Sequence, residues 1–212
     1  MNKCVIIGGG TFNKVACHLA LATPAFGSTA KRLKEIIDSW GLEDDIETQL
    51  VLTKMADSRS QLVTNEDVGK YLATLAEDRS VKAVIMNAAL CDFTMENPSA
   101  DSRLSSQQDY YAELIGDRQK LISTLKEARP DIFVVAFKTT HNDTMLEQVS
   151  KGFNLLQTSG ADLVLANDVG TYNNVLLSKD LAIHTGERAE LLITLADLTV
   201  DDIKEGRCYQ YV

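Results

Sequence analysis

Two kinds of hydrophobic pattern alternate along the chain. Short, nearly continuous apolar runs are typical of strands buried on both faces, and stretches whose apolar residues recur every three or four positions are typical of amphipathic helices. The apolar runs predict strands over 4–7, 48–53, 81–90, 131–138 and 161–168, and the periodic stretches predict helices over 29–40, 65–78, 116–129 and 143–160.

The alternation of strands and helices predicts the fold class. Successive βαβ units favour a mainly parallel sheet with helices on both faces, and ligands then bind beyond the carboxyl ends of the strands. We therefore expect a doubly wound, Rossmann-like α/β fold, with the chain 1–212 forming a single domain. After the last parallel strand, residues 181–195 predict an edge hairpin or strand that leads into a short final helix.

One segment lacks either pattern. Residues 94–112 are mostly polar, include Pro98 and show no apolar period. Long irregular connections in compact domains are usually functional. The segment is therefore expected to be an excursion from the sheet that acts as a lid or as a dimerisation arm.

Charge and composition exclude some classes of partner. The chain has 30 acidic and 21 basic residues, a net charge of −9 and no Lys/Arg cluster, so nucleic acid is not an expected partner. No apolar run is long enough to span a membrane and no signal-peptide pattern precedes the first strand, so we expect a cytoplasmic protein with no membrane partner. The four cysteines and three histidines lack the spacing of a metal site, so no protein-bound metal is predicted.

The first strand ends in a run of glycines. Gly8, Gly9 and Gly10 could let the backbone approach a ligand and aim successive N–H groups at an anion, and Thr11 could add its hydroxyl. The alternative is a tight turn that binds nothing. The spacing fits neither GxGxxG nor a Walker motif, and the second strand does not end in an acidic residue.

The ends of three later strands carry further candidates. Ala88 leaves room for a base or ribose, and Asp92 could hold a ribose hydroxyl or a metal-bound water. Asn167 and Asp168 follow an apolar run, and Lys138 follows VVAF directly. Each also has a structural interpretation, because small residues pack under helices, Asp and Asn form turns, and lysines are commonly solvated.

Five segments carry a family resemblance: GGGT at 8–11, AALCDF at 88–93, RLSS at 103–106, VVAFKTT at 134–140 and ADLVLANDV at 161–169. Their sequences and order resemble the phosphopantothenate-cysteine ligase family of coenzyme A biosynthesis. The resemblance implies that CTP or ATP, with Mg²⁺, activates the carboxylate of 4'-phosphopantothenate as an acyl-nucleotidylate, which then condenses with cysteine. It also implies a homodimer, and a separate flavin-dependent decarboxylase as a possible partner.

The resemblance assigns roles to individual residues. It makes Thr23 and Arg103 the candidate catalytic residues, Thr23 in place of a family asparagine that serves the acyl intermediate and Arg103 in place of a lysine at the triphosphate. Leu19 and Leu155 stand where the family has an arginine and a second lysine. The residues implied to contact the nucleotide or its phosphates are Gly8, Gly9, Gly10, Thr11, Ala88, Asp92, Asp117, Phe137, Lys138, Lys151 and Asn167.

Two other functions remain open at this point. A nucleotide-binding protein of the same fold could have lost or changed the ligase activity, as the departures at Leu19 and Thr23 suggest. An NAD(P)-dependent oxidoreductase is compatible with the glycine run alone, but the chain lacks the acidic ribose partner and a Tyr-x-x-x-Lys pair.

Overall fold

The computed structural model describes residues 1–42, 45–96, 102–116 and 121–205. Within these ranges the chain forms a large central sheet, two small two-stranded sheets and a set of flanking helices. The strands are β1 (Asn2–Gly10), β2 (Phe12–Ala16), β3 (Leu19–Ala22), β4 (Ile46–Leu52), β5 (Val81–Ala89), β6 (Phe93–Met95), β7 (Leu114–Gly116), β8 (Phe133–Thr140), β9 (Leu163–Asp168), β10 (Asn174–Ser178) and β11 (Ile183–Thr185). The helices are α1 (Ser28–Asp38), α2 (Asn65–Glu77), α3 (Leu121–Ala128), α4 (Met145–Ser159) and α5 (Arg188–Glu205).

The central sheet has the order β4-β1-β5-β8-β9-β10-β11. Its first five strands are parallel, and β10 and β11 complete one edge as an antiparallel hairpin. From β1 the chain first builds β4 on one side and then crosses to β5 on the other, so the strand order reverses between β1 and β5. Ligands of doubly wound sheets bind at such a reversal. The predicted fold class and the edge hairpin are confirmed.

The strands are apolar on both faces because helices cover both sides of the sheet. Ile6 and Ile85 pack in one core cluster with residues of α1 and α5. Val5 and Val84 face the other way and pack with residues of α2, α3 and α4. Since side chains alternate between the two faces of a strand, two buried faces give the continuous apolar runs seen in the sequence.

The helix ends follow capping rules. Thr64 and Thr144 cap α2 and α4, and each forms a reciprocal capping box with an acidic residue three positions later. Asn65, where the predicted helix begins, is the first residue of α2. Gly160 ends α4 in the left-handed conformation, as predicted. Among the described helices, none is both long and apolar enough to cross a membrane.

Three elements differ from the sequence prediction. The first strand continues through the glycine run to Gly10, because these residues remain paired with β5. The final helix is long and begins at Arg188, since Leu191, Leu195 and Thr199 recur at helical spacing on its buried face. The described part of the predicted helix 116–129 is helical only over Leu121–Ala128, and 117–120 lie outside the described residues.

Two small antiparallel pairs extend beyond the carboxyl edge of the sheet. β2 pairs with β3, a hairpin that the sequence does not reveal, and β6 pairs with β7. The amide of Cys17, in the turn between β2 and β3, donates to the carbonyl of Ser102, which belongs to the segment between β6 and β7. We call β6, β7 and the described residues 102–113 the arm.

Candidate functional site

The glycine run at the end of β1 is a place where other chain segments cross at close range. A Cβ on Gly8 would overlap Ala30, one on Gly9 would overlap the hydroxyl of Thr53, and one on Gly10 would overlap the carbonyl oxygen of Thr23. Gly9 also has a φ of +104°, which L side chains rarely adopt. Glycine is therefore required here by tight packing within the protein.

The amides at the end of this run are already hydrogen-bonded. The N–H of Gly10 donates to the carbonyl of Ala25 at 2.8 Å, and that of Thr11 donates to Ala89 at 3.1 Å. The nest of N–H groups was predicted for Gly8, Gly9 and Gly10, and it is corrected at Gly10, because a backbone carbonyl occupies this donor. Gly8 and Gly9 lie within the same buried stretch of β1.

Thr11 is also committed within the protein. Its buried hydroxyl donates to Oδ1 of Asn65 at 2.6 Å and accepts from the amide of Cys91 at 2.8 Å. The expected contribution of this hydroxyl to an anion site is corrected for the same reason. The side chain instead links β1, the start of α2 and the segment that follows β5.

Side chains fix the segment after β5 through its carbonyl groups. The hydroxyl of Thr23 donates to the carbonyl of Leu90 at 3.2 Å. The carbonyl of Cys91 accepts from Nδ2 of Asn65 at 2.9 Å and from Nδ2 of Asn13 at 3.1 Å. Neither Asn13 nor Asn65 is a candidate site residue in the sequence, because only the distant segments that they join give them this role. The result is a short rigid segment that presents Asp92.

A cleft of about 260 Å³ lies at the carboxyl ends of β5 and β8, under α3 and α4. It brings together five of the residues predicted from the sequence: Thr23, Ala88, Asp92, Phe137 and Lys138. The other residues that line it are Met86, Ala89, Leu90, Leu121, Ile122, Thr139, Leu155 and Ser159.

The cleft has few charges. Lys138 and Asp92 are its only charged lining residues among those described, and Lys138 has no ion pair within the described part of the chain. Met86, Leu121, Ile122 and Leu155 give the lining an apolar part that belongs to one core cluster, whereas Phe137 packs against the cluster on the other face of the sheet. The cleft can therefore hold a flat or apolar group together with one anionic group.

Other predicted site residues lie outside this lining. Lys151 is bound to both carboxylate oxygens of Asp143, at 2.8 and 2.6 Å, and this interaction raises the pKa of Lys151. Arg103 is exposed on the arm. Asn167 is half-buried near the end of β9, and Asp117 lies outside the described residues.

Asp168 joins the two loops that follow β8 and β9. Its carboxylate is only 3% exposed and accepts from the hydroxyl of Thr140 and from the amides of Asn142, Asp143, Gly170 and Thr171, at 2.7 to 3.0 Å. Burial opposes ionisation, but these hydrogen bonds hold the pKa of Asp168 well below its usual range. Of the two interpretations left open by the sequence, the structure supports the structural one for Asp168.

Comparisons with known proteins agree with this fold. Residues 47–196 match the family model described as the DNA/pantothenate metabolism flavoprotein C-terminal domain. A curated relative, the coenzyme A biosynthesis bifunctional protein CoaBC of Thermococcus kodakarensis, is 26% identical over 142 residues, which are 65% of this chain and 35% of the relative. The chain thus matches about a third of that relative's length.

Two solved structures show the same fold. A DNA/pantothenate metabolism flavoprotein from Streptococcus pneumoniae is 20% identical with a TM-score of 0.77, covering 98% of this chain and 100% of that one. A Cab2 variant in complex with phosphopantothenate-cysteine is 13% identical with a TM-score of 0.59, covering 96% of this chain and 89% of that one. The match of the family model to most of the chain is decisive: the protein belongs to the family of DNA/pantothenate metabolism flavoprotein C-terminal domains, which confirms the family resemblance found in its sequence.

Proposed function

We propose that this protein is a ligase of coenzyme A biosynthesis that uses CTP or ATP to join a phosphopantothenate-like acid to cysteine. Membership of the family supports this, as does the fold shared with the Cab2 variant whose structure contains phosphopantothenate-cysteine. The observation that carries the proposal is the cleft itself. It gathers Ala88, Asp92, Phe137 and Lys138 at the carboxyl edge of a doubly wound sheet, where nucleotides bind.

The reaction has two steps. A carboxylate oxygen of the acid bonds to the α-phosphorus of the nucleotide. The bond between that phosphorus and the oxygen that it shares with the β-phosphorus breaks, and pyrophosphate is released. The amine nitrogen of cysteine then bonds to the acyl carbon, the nucleoside monophosphate leaves, and the nitrogen releases a proton. Both steps need alignment and charge neutralisation more than an activated protein nucleophile.

The residues of the cleft divide this work. Phe137 and the small Ala88 contact the base, Asp92 accepts hydrogen bonds from the ribose hydroxyls, and the ammonium of Lys138 approaches a phosphate. Asn13, Asn65 and the hydroxyls of Thr11 and Thr23 hold the segment that carries Asp92, so the carboxylate is placed before the substrate arrives. Thr23 also lines the cleft and can contact the acyl intermediate.

Mg²⁺ fits this site as part of the nucleotide complex. Among the described residues, no cluster of His, Cys, Asp or Glu could hold a metal, whereas Mg²⁺ is usually bound by one or two carboxylates and by substrate phosphates. Asp92 and the hydroxyl of Thr139 are lining groups with suitable oxygens, whereas the hydroxyls of Thr23 and Ser159 donate to backbone carbonyls. When bound, the ion would neutralise part of the triphosphate charge.

The remaining residues are proposed to act at the outer end of the cleft. Arg103 of the arm and Lys151 of α4 would contact the phosphates, Lys151 after leaving Asp143. The side chain of Asp143 is only 12% exposed, so Lys151 leaves a largely desolvated carboxylate behind, and its contact with the phosphates has to offset that cost. Asn167 and Asp117 remain proposed nucleotide contacts.

Calorimetry and a pyrophosphate assay test this function. We expect CTP or ATP to bind in the presence of Mg²⁺, and pyrophosphate to be released when 4'-phosphopantothenate is added, with the ligated product appearing once cysteine is present. If neither nucleotide binds, the proposed function is wrong and only the fold remains.

The Lys138→Ala variant should bind either nucleotide about tenfold more weakly, since a hydrogen bond to a charged group contributes roughly 1.5 kcal/mol or more. Lys138→Arg should keep part of the affinity because it keeps the charge. Lys204→Ala removes a lysine in the last turn of α5, which does not line the cleft, and should bind like the wild type. Equal affinities of Lys138→Ala and Lys204→Ala would remove Lys138 from the site.

A second candidate is a nucleotide-binding protein of this fold without ligase activity. Leu155 favours it, because an apolar side chain lines the cleft where the family resemblance implies a lysine. This candidate predicts nucleotide binding with no pyrophosphate release, even at saturating phosphopantothenate and cysteine. Release of pyrophosphate that depends on the acid excludes it.

The arm supports a proposed homodimer. Tyr111 is 97% exposed, and Phe93 and Leu114 are each more than half exposed on the ribbon of β6 and β7. A ribbon of two short strands is marginally stable in water and soluble proteins rarely leave such apolar groups uncovered, so a second copy of the chain is the proposed cover.

Leu114→Asp should therefore convert the dimer to a monomer in light scattering at micromolar concentration. Leu181→Asp changes a leucine that is even more exposed, at the turn between β10 and β11, and should leave the dimer intact. A wild-type monomer, or a Leu114→Asp dimer, would contradict the proposal.

We also propose that the reaction takes place in the cytoplasm and that a separate flavin-dependent decarboxylase consumes the product.

A further inference from the structure

One face of α4 changes character along its length. Lys151, Leu155 and Ser159 are spaced four residues apart and so share a face of the helix. α4 begins beyond the carboxyl end of β8 and ends just before β9 starts, so the three residues run from the outer end of the cleft toward the interior. Their exposure agrees with this direction, since the side chain of Lys151 is 51% exposed and Ser159 is only 2% exposed.

The inner part of the cleft is apolar. Leu155 and Ser159 face it from α4, Leu121 and Ile122 from α3, and Met86 from β5. The hydroxyl of Ser159 is already used, because it donates to the carbonyl of Leu155 at 2.6 Å. Moving an anion from water to this position would cost several kcal/mol or more, since no described cation lies on this wall.

The charged groups belong to the outer part. Lys138 lies two residues before the end of β8, and Asp92 lies three residues beyond the end of β5. Lys151 stands on the outermost turn of the shared face, held by an ion pair that is exposed on the lysine side. The cleft is therefore polarised, with an apolar inner end and a charged outer end.

From this polarity we propose that Leu155 determines the orientation and specificity of binding. The ligand inserts an uncharged, flat or apolar group against Leu155, Leu121 and Ile122, and leaves its anionic part at Lys138 and Lys151. This inference rests on the function proposed above, in which the ligand is a nucleotide. The base of the nucleotide then points inward, and the phosphates do not extend along α4 past Lys151.

A crossed set of variants and ligands tests this orientation. Leu155→Ala removes three carbon atoms from the inner wall and should weaken the monophosphate and the triphosphate of the same nucleoside equally, by about tenfold. Leu155→Met keeps the volume and apolar character and should bind both ligands within about threefold of the wild type. Lys151→Ala should weaken the triphosphate and leave the monophosphate nearly unchanged.

The pattern of losses decides the outcome. If Leu155→Ala weakens only the triphosphate, the phosphates lie along α4 and the proposal is overturned. It is also overturned if Leu155→Ala has no effect on either ligand. Circular dichroism and thermal unfolding of each variant ensure that only folded proteins are compared.

A probe that is not a nucleotide separates this inference from the proposed function. Anilinonaphthalene sulfonate combines an apolar ring system with a single anionic group and so matches the polarity of the cleft. Its fluorescence enhancement should fall in Leu155→Ala and persist in Leu155→Met. If the wild type binds no nucleotide but shows this difference, the proposed function fails and the inference on polarity stands; an identical signal in all three proteins refutes the inference itself.

Discussion

Replacing Gly9 by alanine is expected to destabilise the fold by about 3–5 kcal/mol, because it combines backbone strain with overpacking. The new Cβ would overlap the hydroxyl of the fully buried Thr53 and come within 2.9 Å of the Cβ of Ala56. The residue would also keep a φ of +104°, a conformation unfavourable for alanine. Urea unfolding followed by circular dichroism measures the difference in the free energy of unfolding.

Two further variants separate the causes. Gly10→Ala overlaps the carbonyl oxygen of Thr23 but has no positive φ, so it isolates overpacking and should cost about 2–3 kcal/mol. Gly41→Ala has a φ of +65° with no atom within 4 Å, so it isolates strain and should cost about 1 kcal/mol. If Gly9→Ala proved no worse than Gly41→Ala, the close crossing of chains at β1 would be wrong.

The same residues show where sequence analysis reaches its limit. A glycine run after an apolar strand correctly indicates positions where another group comes too close to the backbone for a side chain. Whether the close neighbour is a ligand or another part of the chain depends on Thr23 and Thr53, which are distant in sequence. The nest predicted for Gly8, Gly9 and Gly10 loses the donor of Gly10 for a nonlocal reason, since the carbonyl of Ala25 accepts from this amide.

The fold was more predictable than the site because its signals are local. Strands covered by helices on both sides are apolar throughout, and the order of strands and helices then limits the topology. The sequence did not predict the hairpin of β2 and β3, because buried and exposed residues do not alternate along these two strands. Val15 and Ala16 are both buried, whereas Leu19 and Ala20 are both exposed.

The charged residues of the site show a different limit. Sequence comparison alone suggested that Lys151 contacts phosphates, and nothing near it in the sequence indicates that Asp143 binds it. Helical spacing places Leu155 on the same face as Lys151, but only the position of α4 against β8 shows that Leu155 lines the cleft. The replacement of a family lysine by Leu155 could thus be explained only when the structure showed that Leu155 lines the cleft.

Asp168 gives the second large effect, and this effect depends on pH. A folded-state pKa below the unfolded value of about 3.9 means that ionised Asp168 stabilises the native protein. That contribution is fully present above the unfolded pKa and is lost as the pH falls through the folded pKa. Asp168→Asn removes the charge and puts an NH₂ group in place of one oxygen, facing the amide of Asp143 or those of Asn142, Gly170 and Thr171, so donors then face donors.

Urea unfolding at a series of pH values checks this linkage. The wild type should be more stable than Asp168→Asn by a constant amount between pH 5 and 8, values well above the unfolded pKa of about 3.9, and the difference should shrink as the pH falls below about 4. Hydrogen exchange at the amides of Asn142 and Thr171 should accelerate in the variant, because both loops lose the ionised acceptor that joins them. Asp109→Asn, at an exposed aspartate of the arm, should change neither measurement. A difference that stayed constant down to pH 2 would show that Asp168 stabilises the loops through its shape and not its charge, and unchanged exchange would show that the loops hold together without it.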